Sequence, residues 1–345
     1  MWLYKIMLKI VKDFSLKELN TFKIDAYSNY FVEIGFESQI DELINTEIFR
    51  NEKRFILGGG SNILFVKDFD GLVISMNIKG IEFEKLNEDD YIIKAGAGEY
   101  WSDLVEFCIK QGLNGIENLA LIPGKVGAAP VQNIGAYGIE QSDIFYSLTG
   151  FDLTDKKMKT FFKDDCKFNY RDSIFKNELK DKIIITSVSN KLTKTPKFNI
   201  SYKELQKIIE NSNEEINSKL IFNSVCNLRK SKLPDYKILG NAGSFFKNPI
   251  IDEKQFNFIS KKNYNFLPYK ISETAFKASA GWLIENTGLK GFRKGNIGTY
   301  EKHALVLINY GGATGKEIYN FSEFVKQKVK DEFEIELMNE VQLIF

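Results

Sequence analysis

The chain has 345 residues, 43% of them hydrophobic, and 47 Lys and Arg stand against 46 Asp and Glu. That length and apolar content can fill two or three cores, and a net charge of +1 with no basic stripe excludes nucleic acid as the main partner. A single histidine, His303, and three scattered cysteines, Cys108, Cys166 and Cys226, exclude a histidine-rich metal site, a zinc cluster and a disulfide framework, so no metal is expected and the thiols read as buried structural groups.

The start of the chain is apolar, but Lys5, Lys9 and Lys12 interrupt it and no small-residue cleavage site follows. No uninterrupted run reaches the roughly 18 apolar residues of a membrane span, so no membrane partner is expected and the expected location is cytoplasmic. Residues 30–34 read as a strand and residues 38–45 as a short helix with Ile40, Leu43 and Ile44 on one face. Residues 54–57 then run as a strand directly into Gly58-Gly59-Gly60-Ser61-Asn62, and residues 63–66 resume β character. Three glycines behind a strand expose several backbone N–H groups in a tight concave turn, a nest for phosphate; a plain hairpin turn explains the same residues equally well. The stretch is neither a Walker loop nor a Gly-x-Gly-x-x-Gly fingerprint opening a helix.

Residues 71–77 and 91–99 continue the β pattern, and Ala95-Gly96-Ala97-Gly98 leaves room for a flat ligand or another backbone. Residues 101–110 form an amphipathic helix carrying Leu104, Val105, Phe107 and Cys108, closed by Gly112. Residues 118–138 hold four glycines, two prolines and almost no charge. That composition describes a rigid loop packed on something large and apolar, for which a bound cofactor is a more economical explanation than a buried crossover. Strands are expected at 145–153 and 183–192, flanking Phe168-Asn169-Tyr170-Arg171-Asp172. The arginines are Arg50, Arg54, Arg171, Arg229 and Arg293 alone, so Arg171 reads as a substrate-facing cation in preference to a surface ion pair.

Ser201 to Glu204 has the form of a capping box that places Tyr202 at the exposed first turn of a short helix, within an otherwise polar insertion over residues 194–236. Arg229 and Lys232-Leu233-Pro234 lead from it to Asn241-Ala242-Gly243-Ser244-Phe245-Phe246-Lys247-Asn248-Pro249, where one hydroxyl is surrounded by small, apolar and cationic residues, although taken alone the nonapeptide reads first as a glycine-rich turn before a strand. Gly240 and Gly243 leave the main chain open to close approach, and Lys247 and Asn248 add a charge and an amide for an anionic or carbonyl group. Further on, residues 279–286 form a helix stopped at Gly288, residues 304–309 a buried strand, and Gly311-Gly312 a turn. A second capping box, Thr314 to Glu317, opens a helix with Ile318, Phe321, Val325 and Val329 inward. The final residues, 336–345, read as a strand in which Glu340, amid apolar neighbours, is a buried acid in preference to edge decoration.

Taken together, Asn20-Thr21-Phe22, residues 57–62, 118–138 and 170–175, Lys232-Leu233-Pro234, residues 240–249, Ala280-Gly281-Trp282-Leu283-Ile284 and Asn339-Glu340-Val341 resemble the UDP-N-acetylenolpyruvoylglucosamine reductase family, specifically the branch with a Tyr-bearing substrate loop. Several ordered motifs of this length are far more specific than any one of them. The resemblance implies an α+β fold: a two-lobed FAD-binding domain of the vanillyl-alcohol-oxidase/PCMH type plus a separate α+β substrate domain. It places FAD-binding lobe 1 at residues 1–78 and 333–345, lobe 2 at 79–232 with the substrate loop at about 194–236, and the substrate-binding domain at 233–332. The implied activity is an NADPH-dependent flavoprotein oxidoreductase that converts UDP-N-acetylglucosamine enolpyruvate to UDP-N-acetylmuramate in peptidoglycan precursor synthesis, as a cytoplasmic monomer serving cell wall biogenesis, cell shape and cell division.

By matched positions, the resemblance implies Ser244 as proton donor, with Arg171 and Glu340 stabilising the enolate and positioning the substrate carboxylate. It implies flavin contacts from Gly58, Gly59, Gly60, Ser61 and Asn62. Further ones are implied from Pro123, Gly124, Gly127 and Ala128 and from Gln132, Asn133, Gly135, Ala136, Tyr137 and Gly138. Tyr170, Tyr202, Lys232, Asn248 and His303 are the implied substrate-binding side chains. The chain departs from the family pattern at Lys23, where glycine is usual, at Gln342, where a basic residue is common, and at Gly295-Asn296-Ile297. Two alternatives remain: another flavin oxidoreductase of the same FAD fold, or a non-catalytic flavin or sugar-nucleotide binding module. Against the first, His303 and the cysteines that could tether a flavin lie outside the glycine loops; against the second, an acid, a cation and a hydroxyl occur together.

Overall fold

The computed structural model describes residues 8–262 and 265–345. Residues 1–7, on which part of the reading against a signal peptide rests, lie outside the described residues. Helices and strands form an α+β chain that divides into two compact units. The first comprises Met1–Phe14, Ser28–Gly59 and Asp70–Ser231; the second comprises Ser15–Tyr27, Gly60–Phe69 and Lys232–Phe345. Among the described residues no helix is long and apolar enough to cross a membrane.

In the first unit a five-stranded antiparallel sheet runs in the order Lys157–Phe162, Phe145–Asp152, Ile183–Thr193, Asp90–Gly96, Ile81–Lys85. Its central strand, Ile183–Thr193, is buried on both faces over most of its length, which is why it reads as a near-continuous apolar run. The edge strand Ile81–Lys85, where Ile81 and Phe83 alternate with charges, carries Glu82, Glu84 and Lys85, charges that keep an exposed edge from pairing with another chain. Helix Trp101–Lys110 packs Trp101, Leu104, Val105 and Cys108 into the core of this sheet. Its end is a Schellman turn: Gly112, at φ +70°, donates to Ile109 O and Leu113 N donates to Cys108 O.

A second sheet has the order Ile10–Ser15, Tyr27–Ile34, Phe69–Met76, Arg54–Leu57. Its last two strands are parallel, with Leu57 level with Ser75. The core over this sheet joins Val32, Ile34, Leu72 and Ile74 to Ile40 and Leu43 of helix Ser38–Ile44.

The insertion at residues 194–236 is more ordered than its polar composition suggests. It holds helices Lys203–Glu210 and Ser218–Lys232, the latter burying Ile221, Val225 and Leu228. The expected capping box at Ser201 does not form. The helix starts one residue late, with Tyr202 at the N-cap and no side-chain bond there, and the Ser201 hydroxyl donates to Asn199 Oδ1 at 2.7 Å.

The second unit contains two three-stranded sheets, Ile250–Asp252 with Ala275–Lys277 and Tyr269–Lys270, and Arg293–Lys294 with Ile297–Thr299 and Leu307–Asn309. Helix Gly315–Phe333 begins with the expected capping box, in which Thr314 Oγ1 accepts from Glu317 N and the Glu317 carboxylate accepts from Thr314 N. It turns Ile318, Phe321, Val325 and Val329 inward. The terminal strand is only Gln342–Ile344, shorter than expected, and pairs in parallel with Ile63–Phe65. The stretch from Gly58 to Asn62 is therefore no hairpin turn, since Arg54–Leu57 and Ile63–Phe65 belong to different sheets.

Candidate active site

In the first unit the two glycine-rich loops interlock. A Cβ on Gly58 would stand 2.8 Å from that of Ala128, one on Gly59 would stand 2.6 Å from Gly124 Cα, and one on Gly127 would stand 2.6 Å from Ala97 Cβ. All three separations are impossible for real side chains, so glycine here answers first to loop against loop. Residues 97–101 fix the backbone of the second loop: Trp101 N donates to Gly124 O, Val126 N to Glu99 O and Gly127 N to Ala97 O. Among the described residues of this unit, the amides of Gly58 and Gly59 have no such acceptor. Donors held in a tight turn without a backbone acceptor in their own unit suit an anionic group, and this set fits the diphosphate of a dinucleotide.

Arg171 sits in the same unit at φ +51°, in a two-residue turn closed by reciprocal Asn169 and Asp172 backbone bonds. Its guanidinium donates to Gly135 O at 2.6 Å, to Glu140 Oε1 at 3.2 Å and to Asn133 O at 3.4 Å. It is not a surface ion pair: its side chain is 16% exposed and its carboxylate partner is Glu140. The adjacent Asp172 carboxylate instead accepts from Asn177. Glu140 also accepts from Asn133 Nδ2 at 2.8 Å, and Asn133 is left-handed at φ +45°. Gly135 is required here as well, because a Cβ would lie 2.8 Å from Arg171 Nη1. The loop of residues 118–138 and the turn at Arg171 are therefore one hydrogen-bonded body, and Glu140 is a member that sequence reading missed. Gln132 ends the short helix Pro130–Gln132 just before Asn133, and Tyr170 N donates to Asn169 Oδ1.

The polar insertion closes on the same loop. Asn118 Nδ2 donates to both Tyr137 O and Asn199 O at 2.8 Å, and Asn199 Nδ2 donates to Gly138 O at 3.1 Å. The Tyr137 and Tyr202 rings meet edge to face at 5.0 Å. Burial pushes the Tyr137 phenol up to about 12 against the opposing pull of Arg229. Arg229, on helix Ser218–Lys232, has no carboxylate partner among the described residues, and burial holds its pKa below the ordinary arginine value. A cation in that setting marks an anion site. Its sequence signal was only its scarcity and its place ahead of Lys232.

In the second unit Gly60, at φ +64°, would collide with Leu19 O if it carried a Cβ. Asn62 Nδ2 donates to Glu340 O at 3.2 Å, and Gln342 N donates to Asn62 O at 3.0 Å. Ser244 lies opposite Val306 in an isolated antiparallel bridge, and Phe246 lies opposite Asn339. Phe245 and Phe246 are fully buried on one side of the serine, and Glu340 N donates to Phe245 O at 2.8 Å. Ser244, Glu340 and Asn62 thus share one local framework, although Glu340 is partly exposed and not the fully buried acid expected from its neighbours. Gly243 meets nothing within 4 Å of its missing Cβ, and its φ of +68° is what demands glycine. Asn248 Oδ1 accepts from Ala280 N at 2.9 Å, and His303 Nδ1 accepts from Leu305 N at 3.3 Å. Lys232 closes helix Ser218–Lys232 as its last residue.

Two family models match the chain: "FAD binding domain" over residues 30–159 and "UDP-N-acetylenolpyruvoylglucosamine reductase, C-terminal domain" over residues 234–344. A relative named UDP-N-acetylenolpyruvoylglucosamine reductase from Flavobacterium johnsoniae is 46% identical over 98% of this chain and 100% of its own length. A second of that name, from Amoebophilus asiaticus, is 44% identical over 95% of this chain and 97% of its own. The crystal structure of UDP-N-acetylenolpyruvylglucosamine reductase from Thermus caldophilus has the same fold, with a TM-score of 0.66 at 22% identity over 98% of each chain.

Proposed function

The chain belongs to the UDP-N-acetylenolpyruvoylglucosamine reductase family, and we propose that Arg171, Ser244 and Glu340 carry the reduction step of the family's reaction in it. It is a flavoprotein oxidoreductase of peptidoglycan precursor synthesis, with FAD as cofactor and NADPH as reductant. When bound, FAD supplies the two-electron carrier chemistry between NADPH and the enolpyruvyl double bond. The Gly58 and Gly59 amides and the loop from Pro123 to Ala128 would hold it, and Ser61 and Asn62 are assigned to the same cofactor.

Hydride addition to an enol ether bearing a carboxylate places negative charge on the carbon beside that carboxylate. A fixed cation stabilises it best when its position needs no reorganisation. Arg171 meets that condition, anchored by Glu140 and by the Gly135 and Asn133 carbonyls. Ser244 Oγ delivers the proton that completes the saturated product, and the hydroxyl regains a proton from solvent before the next turnover. Glu340 acts with Arg171 in positioning the carboxylate. The observation that carries the assignment is the backbone bond from Glu340 to Phe245, which ties the acid to the serine's own segment, together with the Asn62 amide that joins the glycine loop to Glu340. Tyr170, Tyr202, Lys232, Asn248 and His303 are assigned to the sugar nucleotide, and Arg229 joins them as a cation for its anionic portion. Residues 1–78, 333–345 and 79–232 are assigned to FAD binding and residues 233–332 to substrate binding. The enzyme acts as a cytoplasmic monomer.

Stopped-flow absorbance tests the assignment, because reduction of the flavin by NADPH and its reoxidation by the enolpyruvyl substrate are separately visible. Ser244→Ala slows reoxidation and turnover by about 10²-fold to 10⁴-fold and leaves flavin reduction at the wild-type rate. Equal losses in both half-reactions would remove Ser244 from the role of proton donor.

A further inference from the structure

Lys125 lies in the second glycine-rich loop, and its backbone nitrogen would be 3.1 Å from a Cβ placed on Gly59. Its ammonium donates to Met76 O at 2.5 Å. Met76 ends strand Phe69–Met76, which runs parallel to Arg54–Leu57 with Leu57 level with Ser75, so the Met76 carbonyl is level with Gly58. The side chain thus crosses from one loop to the strand end where the other loop begins. Its charge sits at the same end of the parallel pair as the Gly58 and Gly59 amides, which have no acceptor within their unit.

The charges around Lys125 do not balance it. Among the described residues no carboxylate forms an ion pair with it, and Lys79, the cation that acts on it, already pairs with Glu99 at 3.5 Å. Glu33 pulls weakly in the other direction and accepts a hydrogen bond from Asn77. A partly buried ammonium satisfied only by a carbonyl is costly unless an anion joins it. A lysine beside a nest of backbone amides is a common arrangement for phosphate oxygens.

We propose that Lys125 is the counter-charge for the diphosphate of bound FAD, a role that rests on the flavoprotein reading above. The lysine would add a charge-assisted bond to the amide contacts and make cofactor retention sensitive to ionic strength.

The test uses the full chain stripped of flavin and titrated with FAD and with riboflavin, which has the ring but no phosphate, following quenching of flavin fluorescence. Lys125→Gln weakens FAD binding by about 10-fold to 100-fold, flattens its salt dependence and leaves the riboflavin affinity at the wild-type value; Lys125→Arg restores most of the loss. Lys125→Ser gives the same comparison if the Gln variant does not fold. The proposal is overturned if the neutral variants bind FAD as tightly as the parent, or if FAD and riboflavin lose affinity equally. A wild-type protein that takes up no FAD overturns the flavoprotein reading and this proposal with it, a result distinct from a variant that binds like its parent.

Discussion

Lys23 shows how a single residue records a backbone requirement. It holds φ at +57° with its N–H bonded to Asn20 O at 3.1 Å, and its ammonium meets Glu18 at the surface. A left-handed conformation costs a side-chain-bearing residue about 1–2 kcal/mol, a cost glycine escapes. The departure from glycine noted in the sequence therefore leaves the turn intact and taxes it. Lys23→Gly should raise unfolding stability by about 0.5–1 kcal/mol, after allowing for the greater freedom glycine gives the unfolded chain. Chemical denaturation measures this, and a less stable variant would show that the exposed Lys23–Glu18 pair outweighs the backbone term. Arg171 sits at φ +51°, also left-handed, but there no glycine could replace it, since the guanidinium clamps Gly135, Glu140 and Asn133. Ser244 was legible as a hydroxyl among small residues, whereas the bond that ties its segment to Glu340 was not, because it closes between Phe245 and a residue almost at the end of the chain.

Among elements, helix starts separate a pattern from its realisation. Thr314 to Glu317 and Ser201 to Glu204 have the same capping spelling. Only the first forms, because Thr314 is itself the N-cap of its helix, whereas the helix after Ser201 starts one residue later with Tyr202 at the N-cap. Thr314→Ala should lower stability by about 1 kcal/mol through loss of an N-cap, while Ser201→Ala changes it by less than about 0.5 kcal/mol. Paired urea titrations of the two variants test this, and equal losses would mean that the capping bond at Thr314 contributes nothing of its own. Helix Ser218–Lys232 was passed over as a polar insertion although Ile221, Val225 and Leu228 stand at helical spacing and are buried. Its Asn, Lys and Ser content hid a stripe that only burial made visible. The edge strand Ile81–Lys85 was missed for a different reason, since its alternation of Ile81 and Phe83 with charges is short and only Ile81 is even half-buried.

For the whole molecule, cofactor and fold are linked. A ligand that binds only the folded chain stabilises it by mass action, by about 2.7 kcal/mol when free ligand is 100 times its Kd. The Tm of the protein stripped of flavin should therefore rise steadily as FAD is added, and a Tm indifferent to FAD would argue against a cofactor held by the folded state. The local sequence by itself determined most strands and helices, the two glycine-rich loops, the Ser244 segment and hence the family, because turns, caps and apolar periods act within a few residues. The tertiary structure alone decided which groups meet: Glu140 as the partner of Arg171 at a separation of 31 residues, the Glu340 backbone bonded to the Asn62 side chain across 278, and the Gly59 turn set against Gly124. Such pairs depend on loop closure and on packing at distances that no short window of residues encodes.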